Sequence, residues 1–303
     1  MIQLEHLSKH FGSKKAVDNI SVTIQPGKVT GFLGPNGAGK TTTMRMIMGL
    51  DRPTSGSATI NGKRYAELRS PLTKVGALLD AKAIHTGRTA YNHLHAMAAT
   101  HGIPSSRVKE VIEITGLGAV ASKRVGGFSL GMGQRLGIAS ALLGDPEILI
   151  LDEPVNGLDP EGVLWVRQFV RYLASEGRTV FLSSHLMSEM AQTADHIVVL
   201  GRGRVLADAP VESILAGAAG KSVRVRTPQV EELTQALTAP SVTITSVENQ
   251  LIEVSGVEAA QIGDLAAQKG IVLHELTPLT ASLEQAYLEL TEGSIEYRSE
   301  VAQ

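Results

Sequence analysis

The sequence predicts an α/β fold with a mixed core sheet, followed by a smaller α+β domain. A short apolar strand at 29–33 leads through a glycine-rich loop into a helical run at 40–48, which makes a strand–loop–helix unit. Helical runs later alternate with apolar strands, at 148–151, 179–183 and 197–200. Such alternation is typical of a largely parallel sheet. A small-residue stretch at 216–220 marks a shift in composition, so a second domain is expected after it.

The composition is that of an ordinary globular protein and excludes several classes of function. The 303 residues are 43% hydrophobic and 19% charged, with a net charge of −2 and no cysteine. This balance supplies no basic surface for nucleic acid, so no nucleic-acid partner is expected. Disulfides and zinc–thiolate sites are excluded. The N-terminus has no signal-peptide pattern, and no apolar run approaches the roughly 18 residues that cross a bilayer, so we expect a cytoplasmic protein.

The elements before residue 143 predict antiparallel strands and then helices. Strands are expected at 2–7 and 20–24, and a hairpin at 57–65 turns at Asn61-Gly62. From about 86 to 143 apolar residues recur at helical spacing. This stretch is expected to be an inserted helical subdomain of a first domain that spans 1–215.

The C-terminal part predicts a split β-α-β domain at 221–292. Its elements follow in the order strand, helix, strand, strand, helix, strand, at 222–226, 230–237, 242–247, 251–254, 259–268 and 271–275. A last helix is expected at 282–290, where closing the core and serving dimerisation or regulation remain alternatives. The tail at 293–303 is polar and expected to be flexible.

The glycine-rich loop fits the phosphate-binding pattern G-x-x-x-x-G-K-[ST] at every fixed position. We call it the phosphate loop, and it consists of Gly34, Pro35, Asn36, Gly37, Ala38, Gly39, Lys40 and Thr41. Backbone amides and the positive end of the following helix attract phosphate oxygens. Lys40 adds a positive charge and the Thr41 hydroxyl can ligate Mg²⁺. The sequence therefore predicts a nucleotide site.

A second apolar strand, at 148–151, ends in Asp152 and Glu153. A buried strand of this kind delivers carboxylates to a metal–phosphate site, where Asp152 would hold Mg²⁺ and Glu153 would act as general base on the attacking water. These residues predict phosphoryl transfer without separating kinases, GTPases and ATPases.

Further motifs narrow the class of enzyme. A serine and glycines precede a helix expected at 136–143 and form a second anion site, with Ser129, Gly131, Gly133 and Gln134. Asn156-Gly157-Leu158-Asp159 follows the acidic strand end. His185 ends the next strand and can hydrogen-bond a γ-phosphate, although a lone histidine is more often incidental.

With all of these motifs in order, about the first 210 residues resemble the ATP-binding cassette (ABC) ATPases. By this resemblance 34–42, which adds Thr42, is the Walker A loop, 129–132 the signature loop, 148–153 Walker B and 157–159 the D-loop. The resemblance implies ATP and Mg²⁺ as cofactors and catalytic roles for Lys40, Glu153 and His185. It also implies nucleotide contacts for Asp159 and for Phe11, whose ring would stack on adenine.

The chain departs from the family pattern at Asp80 and in the signature loop. Asp80 stands where the family usually has a glutamine that contacts Mg²⁺, and we expect the carboxylate to tune hydrolysis. Leu130 and Met132 replace commoner signature residues, and they are expected to weaken affinity for the opposing nucleotide.

The resemblance also implies partners. Two copies would pair head to tail, with each ATP between one phosphate loop and the other copy's Ser129. The helical subdomain would grip a membrane permease on a separate chain, which places the protein on the inner face of the cell membrane. The C-terminal domain resembles that of bacterial drug- and antibiotic-exporter ATPase subunits. The alternatives are an ABC ATPase that acts on nucleic acid or ribosomes, and a non-catalytic cassette, which the intact catalytic residues disfavour.

Several histidines in the helical stretch invite a metal site, at His85, His93, His95 and His101. Their helical spacing scatters them, and no acid or cysteine cluster accompanies them. We therefore expect no histidine metal site.

Overall fold

The computed structural model describes residues 1–80, 83–218, 222–239, 242–279, 283–284 and 286–287. The chain separates into two compact units, Met1–Val211 and Glu212–Glu289. Among the described residues no helix is both long and apolar enough to span a bilayer.

The first unit contains two sheets. Its strands are β1 (Ile2–Phe11), β2 (Lys14–Ile24), β3 (Val29–Leu33), β4 (Ser55–Ile60), β5 (Val75–Leu78), β6 (Ile148–Leu151), β7 (Thr179–Ser184), β8 (His196–Gly201) and β9 (Arg204–Pro210). An antiparallel sheet has the order β2-β1-β4, and the core sheet has the order β5-β6-β7-β3-β8-β9. The core pairs are parallel except β8 with β9. The mixed sheet that the sequence predicted is confirmed.

The helices of this unit lie between these strands along the chain. They are α1 (Lys40–Ile47), α2 (Pro71–Lys74), α3 (Ala90–Thr100), α4 (Ser105–Ile114), α5 (Leu130–Leu142), α6 (Pro160–Ser175) and α7 (Met187–Thr193). Short 3₁₀ turns lie at Tyr65–Glu67, Gly118–Val120 and Val125–Gly127. The stretch expected to be helical holds α3, α4 and α5, which pack on one another through buried residues, among them Leu94, Val111 and Leu136.

The core strands are apolar because both of their faces are covered. β3 and β6 are buried along their whole length, as is usual for parallel strands with helices on each face. One apolar cluster joins the two sheets, and its rings Phe32 and Phe181 lie 5.1 Å apart. The register aligns Leu33 with Ser184 and Leu151 with Leu182. The loops that follow β3, β6 and β7 therefore meet at one edge of the sheet.

The second unit is an antiparallel sheet with helices. After α8 (Val211–Ala218), its elements are β10 (Ser222–Arg226), α9 (Val230–Leu237), β11 (Thr243–Glu248), β12 (Leu251–Ser255), α10 (Ala259–Lys269) and β13 (Glu275–Leu279). The sheet order β11-β12-β10-β13 is the split β-α-β topology that the sequence predicted. Its own core contains Val225, Leu233, Val254 and Ile262.

The strand predicted at 271–275 is wrong. α10 ends at Gly270, whose φ of 66° turns the chain, and the Ile271 amide donates to the Ala266 carbonyl. Ile271 is only 7% exposed because it packs against the end of the helix, a usual hydrophobic contact after a helix C-terminus. Strand pairing begins only at Glu275.

Other predicted bounds also change. β1 and β2 are longer than expected and include Phe11. The hairpin at 57–65 reduces to one bridge between Ile60 and Lys63, since a 3₁₀ turn begins at Tyr65. β9 was not predicted. Of the last predicted helix, residues 283–284 and 286–287 are helical. The rest of it and the tail at 293–303 lie outside the described residues.

Candidate functional site

The phosphate loop adopts a conformation that requires glycine. Gly39 has a φ of 106° and forms the N-cap of α1. A Cβ there would lie 2.5 Å from the Ala16 carbonyl oxygen, so any larger residue is excluded by both backbone strain and contact. The loop therefore presents its backbone to the start of a helix, where unpaired amides and the helix dipole favour an anion.

Lys40 is held under the phosphate loop. Its side chain is 6% exposed, and its ammonium donates to the Gly34 oxygen at 2.6 Å and to the Pro35 oxygen at 3.3 Å. The Glu153 Oε1 lies 3.6 Å away. Burial lowers the pKa of Lys40, and the carboxylates of Glu153 and Asp152 offset part of that effect. The ammonium of a lysine at this position of a phosphate loop can reach the β- and γ-phosphates of a nucleotide.

A cleft of about 340 Å³ opens beside the loop and reaches Phe11. Its lining residues are Phe11, Lys14, Ala16, Pro35, Asn36, Gly37, Gly39, Lys40, Thr41, Thr42 and Glu153. The Phe11 side chain is 52% exposed, and the Lys9 ammonium lies 5.0 Å from its ring centroid. An exposed ring at one end and a phosphate-binding loop at the other fit a nucleotide with its base on the ring.

Asp152 uses both carboxylate oxygens. Oδ2 accepts from the Thr41 hydroxyl at 2.6 Å, and Oδ1 accepts from the Ser183 hydroxyl at 2.5 Å. The Asp152 amide donates to the Leu78 carbonyl on neighbouring β5. Because hydroxyl and carboxylate oxygens are the donors that Mg²⁺ prefers, Thr41 and Asp152 fit the predicted metal.

Glu153 lies between Lys40 and His185. Its Oε1 faces Lys40, and its Oε2 is 2.7 Å from His185 Nδ1. Its backbone has a φ of 49°, which is uncommon for a residue with a Cβ. The amide donates to the Ser183 hydroxyl at 2.9 Å. The structure thus brings together Lys40, Glu153 and His185, the residues for which the resemblance implied catalysis.

The signature loop and the D-loop contribute no residue to the lining of this cleft. Ser129 caps α5 by accepting from the Met132 amide, and Asp159 caps α6 by accepting from the Gly162 amide. α5 therefore begins at Leu130 rather than at the predicted 136, since a serine N-cap satisfies the first amides.

Gln134, predicted as part of the second anion site, makes a buried contact in this structure. Its side chain is 4% exposed, and its amide donates to the Glu153 carbonyl at 3.0 Å. The amide is therefore not available at the surface of the signature loop. This contact and the Ser183 hydrogen bonds were missed by the sequence reasoning. The contact of Ser183 with Asp152 could have been expected, because the two residues directly follow the last paired residues of β7 and β6. No comparable signal pointed to Gln134.

Asp80 stays a predicted contact of Mg²⁺. It follows β5 and is exposed, and among the described residues no group of three or more His, Asp or Glu side chains could hold a metal ion. The histidines each have other contacts: His85 with the Gly87 amide, His93 with Ser140, His95 with the Tyr91 ring and His101 with Thr100. Burial and nearby Arg88 lower the pKa of His93.

The phosphate loop, the acidic strand end and the parallel sheet define a P-loop nucleotide-binding protein. The profile of the ABC transporter family matches residues 17–156, and that of a domain of unknown function (DUF8746) matches 221–284. The chain belongs to the ABC transporter ATP-binding proteins.

Curated relatives support this assignment. The Bacitracin transport ATP-binding protein BcrA of Bacillus licheniformis is 43% identical over 71% of each chain. The Lantibiotic transport ATP-binding protein SrtF of Streptococcus pyogenes is 37% identical over 68% of this chain and 89% of that protein. The ABC transporter ATP-binding protein YhcH of Bacillus subtilis is 33% identical over 96% of both chains, so its similarity extends through the second unit.

Solved structures agree with the fold. An ATP-binding subunit of an ABC transporter superposes with a TM-score of 0.65 at 26% identity, over 72% of this chain and 92% of that one. The bacterial ABC transporter cassette MJ0796 superposes with a TM-score of 0.65 at 24% identity, over 70% and 99%. The predicted cassette fold is confirmed.

Proposed function

We propose that this chain is the ATP-hydrolysing subunit of an exporter whose membrane permease is a separate chain. One observation carries the catalytic part: the Glu153 carboxylate lies at the mouth of the phosphate loop, with Lys40 on one side and His185 on the other. A single-chain arrangement of cation, carboxylate and imidazole of this kind suits attack of water on a terminal phosphate.

The side chains at this site have separate roles in the proposed hydrolysis of ATP. When bound, Mg²⁺–ATP would supply the terminal phosphoryl group that water attacks, and the metal would stabilise the negative charge on the phosphate oxygens. Lys40 neutralises phosphate charge, and Thr41 with Asp152 provides the oxygens that hold the metal. His185 Nδ1 lies 2.7 Å from Glu153 Oε2, and because an ionised carboxylate only accepts, the Nδ1–H tautomer of His185 fits this contact. This hydrogen bond leaves Oε1, on the Lys40 side, to accept the proton of the attacking water.

The replacement Glu153→Gln tests the catalytic assignment. An amide cannot accept that proton, so we expect ATP hydrolysis to fall at least about 100-fold, the scale of general-base catalysis, while ATP still binds. Glu176→Gln is the matched control, because Glu176 contacts Tyr172 at the surface end of α6. A Glu153→Gln variant that hydrolyses ATP within threefold of wild type would remove Glu153 from the mechanism.

The proposed working form is a homodimer. It is supported by the position of Ser129, which caps a helix outside its own chain's cleft, so a second copy would have to bring this serine to the nucleotide. Sedimentation of the Glu153→Gln protein with and without ATP tests this. We expect ATP to double the mass, and a monomer at saturating ATP would contradict the shared site.

The transport part of the proposal follows the relatives, which are named for bacitracin and lantibiotic transport. We infer a drug, an antibiotic or another small hydrophobic or peptide compound as the exported substance, and a position on the inner face of the membrane. The proposed domains are 1–215 for ATP hydrolysis, with the helical subdomain gripping the permease, and 221–292 as an accessory domain. Co-purification of a membrane protein with this chain tests the coupling. Recovery of ribosomes or nucleic acid instead would favour the alternative function.

A further inference from the structure

The backbone of Glu153 is held in an unfavourable conformation from two sides. Its φ of 49° lies in the left-handed region, which a residue with a Cβ occupies only when its surroundings enforce it. On the amide side the enforcing group is the Ser183 hydroxyl, at 2.9 Å. On the carbonyl side it is the Gln134 side-chain amide, at 3.0 Å.

Gln134 is suited to this task by its burial. The side chain is 4% exposed on a helix that packs against the core, so its amide has little freedom to exchange the Glu153 carbonyl for water. A buried donor without its acceptor is costly, and the same holds for the acceptor. The contact therefore favours one backbone conformation of Glu153 over the relaxed alternatives.

We propose that Gln134 is a positioning residue for Glu153. The inference rests on the proposed function, in which Glu153 is the general base. By fixing the carbonyl after the positive φ, Gln134 keeps the Glu153 carboxylate between Lys40 and His185. Without the Gln134 side-chain amide, the Glu153 carbonyl is free to rotate and Glu153 can relax to a negative φ. The carboxylate then leaves its position between Lys40 and His185.

Gln134→Met tests the proposal, since methionine fills a similar volume and has no donor. We expect kcat to fall about 10-fold with the KM for ATP changed less than twofold. We also expect backbone amide exchange in a peptide covering 151–158 to rise several-fold in the nucleotide-free protein. Gln134→Glu, which keeps the shape but presents an acceptor to the carbonyl, should have at least as large an effect.

Ser140→Ala is the matched control. Ser140 lies on the same helix and hydrogen-bonds the Leu136 carbonyl and His93, so its loss perturbs α5 without touching Glu153. We expect kcat and exchange at 151–158 to stay within twofold of wild type in this control.

Two kinds of result overturn the proposal. Unchanged kcat and exchange in Gln134→Met would show that Glu153 needs no such support. If Gln134→Met lowers kcat, raises KM and lowers the melting temperature together, the role of Gln134 is structural. The same conclusion follows if neither Gln134 variant folds. If the wild-type protein itself hydrolyses no ATP, the proposed function fails, and the exchange measurement still decides whether Gln134 holds Glu153.

Discussion

Two regions of the first unit differ in the partners of their polar side chains. The phosphate-loop edge holds the phosphate loop, Asp152 and Glu153, and the signature side holds the loops of Ser129 and Asp159. At the phosphate-loop edge, side chains from separate elements meet one another: Thr41 and Ser183 on Asp152, and Lys40 and His185 on Glu153. On the signature side, Ser129 and Asp159 each accept a hydrogen bond from an amide in the first turn of their own helix. The first region joins separate elements of one chain, whereas each side chain of the second contacts its own helix, and the proposed homodimer would bring these residues to a second copy.

The largest expected effect concerns the assembled region. Lys40→Met removes a buried cation from between Gly34, Pro35 and the carboxylate of Glu153. Loss of a buried, hydrogen-bonded charge costs about 2–5 kcal/mol in binding, so we expect ATP affinity to fall at least 30-fold by fluorescent-nucleotide titration. Lys14→Met, which alters an exposed residue of the same cleft, is the control. Equal affinity losses in both variants would contradict a special role for Lys40.

The signature side should respond differently. Ser129→Ala removes one hydroxyl, and loss of a single donor to a transition state typically costs 10²–10³ in rate. We expect hydrolysis to fall about 100-fold while ATP binding to the monomer is unchanged. Thr89→Ala is the control, since Thr89 also caps a helix, α3, by accepting from Asn92, and should lose only about 1 kcal/mol of stability. A fall in monomer affinity would place Ser129 in its own chain's cleft.

Replacement of Phe11 tests the nucleotide cleft at the end expected to bind the base. Base–aromatic stacking is worth about 1–3 kcal/mol, so Phe11→Leu should weaken ATP binding roughly 5- to 160-fold. Inorganic triphosphate has no base, and its affinity should be unchanged. If both ligands lose affinity equally, Phe11 is a packing residue.

The smallest effect concerns Lys9, which donates to the Arg52 carbonyl at 2.7 Å and lies over the Phe11 ring. A partly exposed cation–π contact contributes about 0.5–1 kcal/mol. Lys9→Met should therefore reduce ATP affinity two- to fivefold by loosening the ring. In a Phe11→Leu background the same replacement should have no effect, and an undiminished effect there would exclude action through the ring.

The sequence was informative where local spacing determines the structure. The phosphate loop follows from glycine and lysine spacing, and the parallel core from apolar runs such as β6. Local patterns failed where tertiary contacts decide. Ile271 has a strand-like sequence, yet it packs on the end of α10 beyond Gly270. Gln134 has the sequence context of an anion loop, but its burial and its contact with Glu153 depend on how α5 packs.

Helix α5 carries Ser129 at its start and Gln134 five residues later, about 7.5 Å along the axis at 1.5 Å per residue. In the proposed homodimer such a short, straight helix would move as a rod, so contact between the serine and the other copy's nucleotide would shift the glutamine as well. In a dimer of one wild-type copy and one copy with an altered α5, ATP hydrolysis would then slow at both sites rather than at one. The hydrolysis rates of the two sites would depend on each other.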